Sequence, residues 1–216
     1  MLSRLQLSTL IAAAAVIWAA FLIADGVAID LAFARPFNKV IGWLVLALVV
    51  CERWAWRWQW LHPWFVSTPV LHGTWRGQLV STWVNAEGQT VPPIEAYVAV
   101  TQTASTIRMR LMTRESESEL LGGSFVRDGD GLSRLFGTYR NTPKQEVRHR
   151  SQIHHGGLFL SVHGEPPRVL EGEYWTDRKT TGSLRFEART SEIHRRFEDA
   201  NRADYQDDRR KRRVKS

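Results

Sequence analysis

Two regimes of hydrophobic patterning divide the 216-residue chain. Leu10 to Ala24 runs fifteen residues without a charge, and extension back to Leu5 gives about twenty apolar positions. A helix of about twenty residues crosses a hydrocarbon core of roughly 30 Å. A second apolar run, Val40 to Cys51, follows after a short loop. It reaches spanning length with Leu31–Phe37 or with the aromatic residues after Arg53. A cleaved signal peptide is the rival for the first run, since Arg4 precedes it. The run is long for such a segment, and the second follows almost at once. The pattern therefore predicts a two-helix transmembrane hairpin over residues 1–60 and a linker over 61–70.

From Leu71 onward the period changes to two. Ile107, Met109, Leu111 and Thr113 share one face while Arg108 and Arg110 take the other; Leu158, Leu160 and Val162 alternate in the same way, as do Leu184 and Phe186. Alternation of this kind marks strands buried on one face. Turn sequences such as Pro92-Pro93, Asp128-Gly129-Asp130-Gly131 and Asn141-Thr142-Pro143 punctuate the region. Eight strands are predicted, near 73–84, 94–102, 105–113, 117–127, 133–141, 154–163, 168–177 and 181–189. Eight short antiparallel strands with tight connections suit a small closed barrel or a sandwich, and closure removes exposed sheet edges. The fold expected is thus membrane-anchored all-β: two N-terminal transmembrane helices, then a compact eight-stranded antiparallel β-barrel over 71–190. Residues 191–216 read as a basic polar tail, with a short polar helix conceivable within 193–208.

Charge sharpens this picture little. The formal net charge is +7, but residues 71–190 carry 15 basic against 13 acidic side chains. The domain is nearly neutral, so no DNA or RNA partner is expected. The concentrated basic run is Arg209 to Lys215, either a solvated end or an attraction to membrane lipids with anionic headgroups. Trp54, Trp56, Trp58, Trp60 and Trp64 fit an interfacial aromatic belt. Arg4, Arg53 and Arg57 flank the spans and favour a hairpin with cytoplasmic N- and C-termini, although Arg35 and Lys39 in the loop weaken the contrast. The single cysteine, Cys51, excludes an internal disulfide.

Catalytic and metal signatures are missing. The Asp128–Asp130 stretch departs from a calcium loop, and His149, His154, His155 and His163 lack zinc-ligand spacing. No nucleophile elbow, Walker loop or dinucleotide fingerprint occurs. The chain is read as a non-enzyme with no metal and no cofactor. Three stretches are richer than a core requires. In the first, Gly73, Trp75, Gly77, Leu79, Ser81 and Trp83 share a parity, as either core or ligand wall. The second is Tyr139-Arg140-Asn141-Thr142-Pro143, and the third is Glu173 to Gly182, where Leu170, Gly172, Tyr174, Thr176 and Arg178 share a parity that brings Arg178 to a barrel mouth. Aromatic rings stack on bases and guanidinium groups pair with phosphates. An ordinary polar hairpin explains the third stretch equally well.

These stretches carry a family resemblance. Two apolar runs lead into Gly73-Thr74-Trp75-x-Gly77. There follow Pro92-Pro93-Ile94, Val100 to Ser105, Tyr139-x-Asn141-x-Pro143, His155-x-Gly157 and the string from Gly172 to Gly182. In order and spacing this resembles the two-transmembrane, β-strand-rich effectors of CBASS, the bacterial anti-phage systems driven by cyclic oligonucleotides. The resemblance implies a functional partner, a CD-NTase that makes a cyclic dinucleotide on infection. It further implies that the barrel binds this messenger, the protein self-associates and the inner membrane is disrupted, an abortive infection. The candidate ligand residues are Trp175, Arg178 and Thr180 with Tyr139 and Asn141, plus Thr103 at a hairpin. Two other readings stay open: a membrane-tethered barrel for a lipid or other apolar ligand, and a ligand-free interaction scaffold.

Overall fold

A computed structural model describes residues 16–20, 23–24, 26, 31–58, 60, 68–84 and 87–207. The chain divides into two compact units, Met1–Trp56 and Arg57–Ser216. In the first unit, residues 16–20 and 23–24 are helical, and the rest of the first predicted span lies outside the described residues. The second predicted span falls in a 23-residue helix, Leu31–Arg53. Trp43, Leu44, Leu46 and Leu48 are all exposed on it. Among the described residues no helix is long and apolar enough to cross a membrane. Arg35, Lys39, Glu52 and Arg53 lie within the bounds of that helix and shorten its uncharged stretch. Of the predicted aromatic belt, Trp54, Trp58 and Trp60 are exposed and Trp56 is fully buried; Trp64 lies outside the described residues.

The second unit is the barrel. Its strands are β1 (Gly73–Ser81), β2 (Ile94–Gln102), β3 (Ile107–Met112), β4 (Ser116–Arg127), β5 (Ser133–Pro143), β6 (His154–His163), β7 (Val169–Thr176) and β8 (Thr181–Thr190). Each pairs antiparallel with its successor, and β1 pairs with β8, which closes the sheet. The alternation that marks the strands in the sequence becomes inside and outside here. Val98, Leu135, Leu160, Leu170 and Phe186 are fully buried in one interior cluster. Placing such side chains in the interior stabilises the fold by about 1.5–3 kcal/mol each.

One end of the barrel is filled. Trp75 Nε1 donates to Leu71 O at 2.9 Å, and the Gln102 amide accepts from Leu71 N at 2.9 Å while donating to Pro69 O at 3.0 Å. The Arg189 guanidinium lies 5.0 Å over the Trp75 ring and donates to His72 O. Every buried polar group named here therefore has a partner, as burial demands.

A bulge sets the face of the last strand. Arg76 pairs with Ala188 but Gly77 pairs with Phe186, so β8 carries one extra residue. A one-residue shift turns the following side chains to the other face. Ala188 consequently leaves the interior and joins a second cluster outside the barrel with Tyr97, Ala99 and Met112. Glycine is required at the bulge, because a Cβ on Gly77 would lie 2.0 Å from Arg185 O.

The stretch after β8 differs from the expected polar tail. A short helix, Phe197–Arg202, lies in the 193–208 stretch and packs on the outer face, and a two-residue strand β9, Gln206–Asp207, pairs antiparallel with β8. Phe197, Ala200 and Tyr205 are buried there, and Tyr97 meets Phe197 edge-on with ring centroids 5.3 Å apart. Spaced apolar residues in a charged stretch give a weak signal, and only the outward apolar side chains of β2, β3 and β8 make a surface for them. The Arg209–Lys215 run lies outside the described residues.

Candidate ligand cavity

The other end of the barrel is hollow. A cavity of about 530 Å³ opens there, within the roughly 300–1,000 Å³ usual for small-molecule sites. An up-and-down barrel places alternate connections at one end. This mouth therefore receives the β1–β2, β3–β4, β5–β6 and β7–β8 connections. The walls below are the inward positions of the strands: Leu79, Leu111, Leu158 and Leu184 give an apolar floor.

At mid-depth the lining turns polar. Asn141 Nδ2 donates to Ser118 Oγ at 2.8 Å and to Ser116 Oγ at 3.1 Å, which fixes the amide from β5 against β4. His154 is buried, with Nδ1 3.0 Å from Gln152 O; with Nδ1 protonated, the imidazole donates to that carbonyl. Burial holds its pKa below the ordinary value, partly opposed by the Gln152 carbonyl. Tyr139 and Tyr174 are also buried, and burial raises both phenols. Both are neutral hydroxyls near pH 7, able to donate. The Tyr139 ring lies across Gly156, where an added Cβ would come within 2.6 Å of it.

The rim is polarised. Arg114 stands on the β3–β4 connection, Arg150 on the β5–β6 connection and Arg178 on the β7–β8 connection. The β1–β2 side contributes Trp83 and Val91 instead. Thr176 and Thr180 share a 2.7 Å hydroxyl contact that shapes the β7–β8 turn, and Lys179 takes a left-handed φ of 62° within it. Two carboxylates stand at the edge of the cavity: Glu95, which has the outward parity of β2 and accepts from Tyr97 Oη at 2.6 Å, and Glu115, which accepts from Arg150 Nη2 at 2.5 Å. Among the described residues no group of histidines, cysteines and carboxylates is arranged to hold a metal.

Four of the six residues singled out in the sequence meet in this cavity: Tyr139, Asn141, Arg178 and Thr180. The other two do not line it. Trp175 alternates with the inward Tyr174 and Thr176, so its ring faces outward, half-exposed, over Gly157. Its parity in the sequence is already opposite to that of Arg178. Thr103 sits in the β2–β3 hairpin at the filled end, hydrogen-bonded across the turn to Thr106. The residues overlooked are Arg114, Arg150, Ser116, Ser118 and His154. Trp83, which shares the parity of Trp75 and Leu79, lines the cavity as well.

The comparisons with known proteins bear on this geometry. The family model of the Cap15 cyclic dinucleotide receptor domain matches residues 66–188. A similar curated protein is CD-NTase-associated protein 15 from Staphylococcus schleiferi, 34% identical over 88 residues. That alignment covers 41% of this chain and 46% of the relative, about half the relative's length. The matched region contains all eight barrel strands apart from the last two residues of β8, together with the whole rim and floor of the cavity. A closed barrel hollow at one end, with a guanidinium rim, is therefore what the family model covers, and the chain belongs to the Cap15 cyclic dinucleotide receptor domain family.

Proposed function

We propose that this protein is a CBASS effector whose barrel binds a cyclic dinucleotide made by a partner CD-NTase. The observation that carries the reading is the mouth: an apolar, tyrosine-lined cup of about 530 Å³ beneath three guanidinium groups, in a chain of this family. A cyclic dinucleotide has the matching chemistry. Its two phosphates are anionic, its bases have stacking faces, and its sugars and base edges need hydroxyl and amide partners. Arg178 pairs with phosphate, Tyr139 and Trp83 offer rings, and Asn141 and Thr180 offer polar contacts.

The first unit acts as a membrane anchor in this reading. Water-soluble helices seldom leave tryptophan and leucine exposed in succession, as Trp43, Leu44, Leu46 and Leu48 are on Leu31–Arg53. Ligand binding favours a self-associated state, and clustering of the anchors disrupts the inner membrane. A ligand shifts such an equilibrium only by its differential affinity for the two states.

The test is a thermal-shift panel on the full-length protein in detergent. One cyclic dinucleotide is expected to raise the unfolding midpoint in a concentration-dependent way, since a ligand at 100 Kd stabilises the fold by about 2.7 kcal/mol. No shift with any of them would refute the receptor reading. Membrane pelleting that resists alkaline extraction tests the anchor separately. The aliphatic floor favours an apolar ligand as the second reading, and a shift with fatty acids but not with nucleotides would select it.

A further inference from the structure

The β5–β6 connection lies between its two neighbours on the rim and is tied to each. On one side Arg150 Nη2 donates to Glu115 Oε1 at 2.5 Å, and Lys144 N donates to Glu115 O at 2.8 Å. On the other, Arg178 Nη1 approaches Ser151 Oγ at 3.4 Å. Adjacent residues, Arg150 and Ser151, thus join the two flanks of the mouth. The guanidinium groups differ in their engagement. Among the described residues Arg178 meets only a neutral hydroxyl at long range, whereas Arg150 is paired with a carboxylate. That carboxylate lines the same cavity. Both side chains of the pair are more than half exposed, so the pair is weak and open to exchange.

Glu115 and an incoming phosphate compete for the same Arg150 guanidinium. Arg114, the residue before Glu115 on the same connection, also lines the mouth. We infer that the mouth contains two separate phosphate sites, Arg178 for one phosphate and Arg150 with Arg114 for the other. Glu115 is a built-in competitor that holds Arg150 until the second phosphate displaces it. This rests on the cyclic dinucleotide reading and goes beyond it in two respects. It assigns the second phosphate to residues on different connections, and it gives Glu115 an inhibitory role. A ligand with one phosphate engages Arg178 but gains little from Arg150, because it must then leave Glu115 uncompensated. The competition favours ligands with two phosphates at a fixed separation.

Calorimetric titration of full-length protein in detergent with the best-binding cyclic dinucleotide tests this. Arg150→Ala is expected to weaken binding by about ten- to a hundredfold, the loss typical of a charge-assisted hydrogen bond. Glu115→Gln is expected to tighten binding by about two- to fivefold, the scale of an exposed ion pair. The double variant R150A/E115Q is expected to bind like R150A, because Glu115 acts through Arg150. A gain from Glu115→Gln that persists in the R150A background would reveal only a general field effect and would overturn the competitor assignment. Unchanged affinity in R150A, with wild type binding normally, would overturn the second phosphate site alone. Failure of the wild type to bind any cyclic dinucleotide would overturn the receptor reading and this inference with it. Thermal unfolding of each variant without ligand separates loss of binding from loss of fold.

Discussion

Two consecutive glycines on β6 give the sharpest test of the cavity wall, because one faces in and the other faces out. Gly156 pairs with Tyr139 on β5 and with Thr176 on β7. A Cβ built on it would lie 2.2 Å from Trp175 O and 2.6 Å from both Cζ and Oη of Tyr139. Trp175 O belongs to the backbone of the neighbouring strand and cannot retreat without breaking the ladder. The methyl group of Gly156→Ala must therefore push the β6 and β7 backbones apart locally and also displace the Tyr139 ring, whose open side is the cavity. Overpacking of this kind costs about 1–3 kcal/mol. For a unit of this size that lowers the melting temperature by about 3–10 °C. The displaced ring also occupies ligand space, so affinity for the activating nucleotide falls as well. Gly157→Ala is the internal control. Its nearest atoms are all in the Trp175 indole, at 2.2, 2.5 and 3.0 Å, and that ring is half-exposed on the outer face. The ring can swing into solvent at a rotamer cost of about 0.5–1.5 kcal/mol, leaving the cavity untouched. Differential scanning fluorimetry and ligand titration on the two variants read both effects. Equal melting of the two variants, or normal binding by Gly156→Ala, would refute the placement of Tyr139 as a wall braced by Gly156.

Asn141→Ala removes two side-chain hydrogen bonds and is expected to cost about 1–2 kcal/mol in urea unfolding, since the stranded serine hydroxyls face a cavity that can supply water. Phe197→Ala should cost about 2–4 kcal/mol in the same assay by opening the outer cluster; an unchanged midpoint would mean that the segment after β8 does not contribute to the barrel. Stability should fall as pH drops below about 6.5, the ordinary histidine value. The unfolded chain takes up a proton there, while burial keeps folded His154 neutral to lower pH. The contribution is complete above 6.5 and is lost progressively between that value and the lower folded pKa. His154→Asn should flatten part of this slope in melting curves from pH 8 to 5, with His72, shifted in the same direction by burial, accounting for a share of the remainder.

Strand existence and strand limits are local properties, and the chain alone determined them here. Period-two alternation and turn residues place the eight strands within a few residues of their observed ends, because the alternation of Leu158, Leu160 and Val162 needs only a sheet with one buried face. The inward parity of Arg178 and the flagged β1 face ending in Trp83 were legible for the same reason. What decided the rest was pairing between strands distant in sequence. Closure of β1 onto β8 and the up-and-down order fix which connections share an end. Only then do Arg114, Arg150 and Arg178, dispersed along the chain, form one rim, while Thr103 goes to the filled end. The bulge opposite Gly77 is another non-local event: it turns Ala188 outward and creates the surface that Phe197, Ala200 and Tyr205 cover. Alternation says which side chains share a face; only the register of paired strands says which faces meet around a common space.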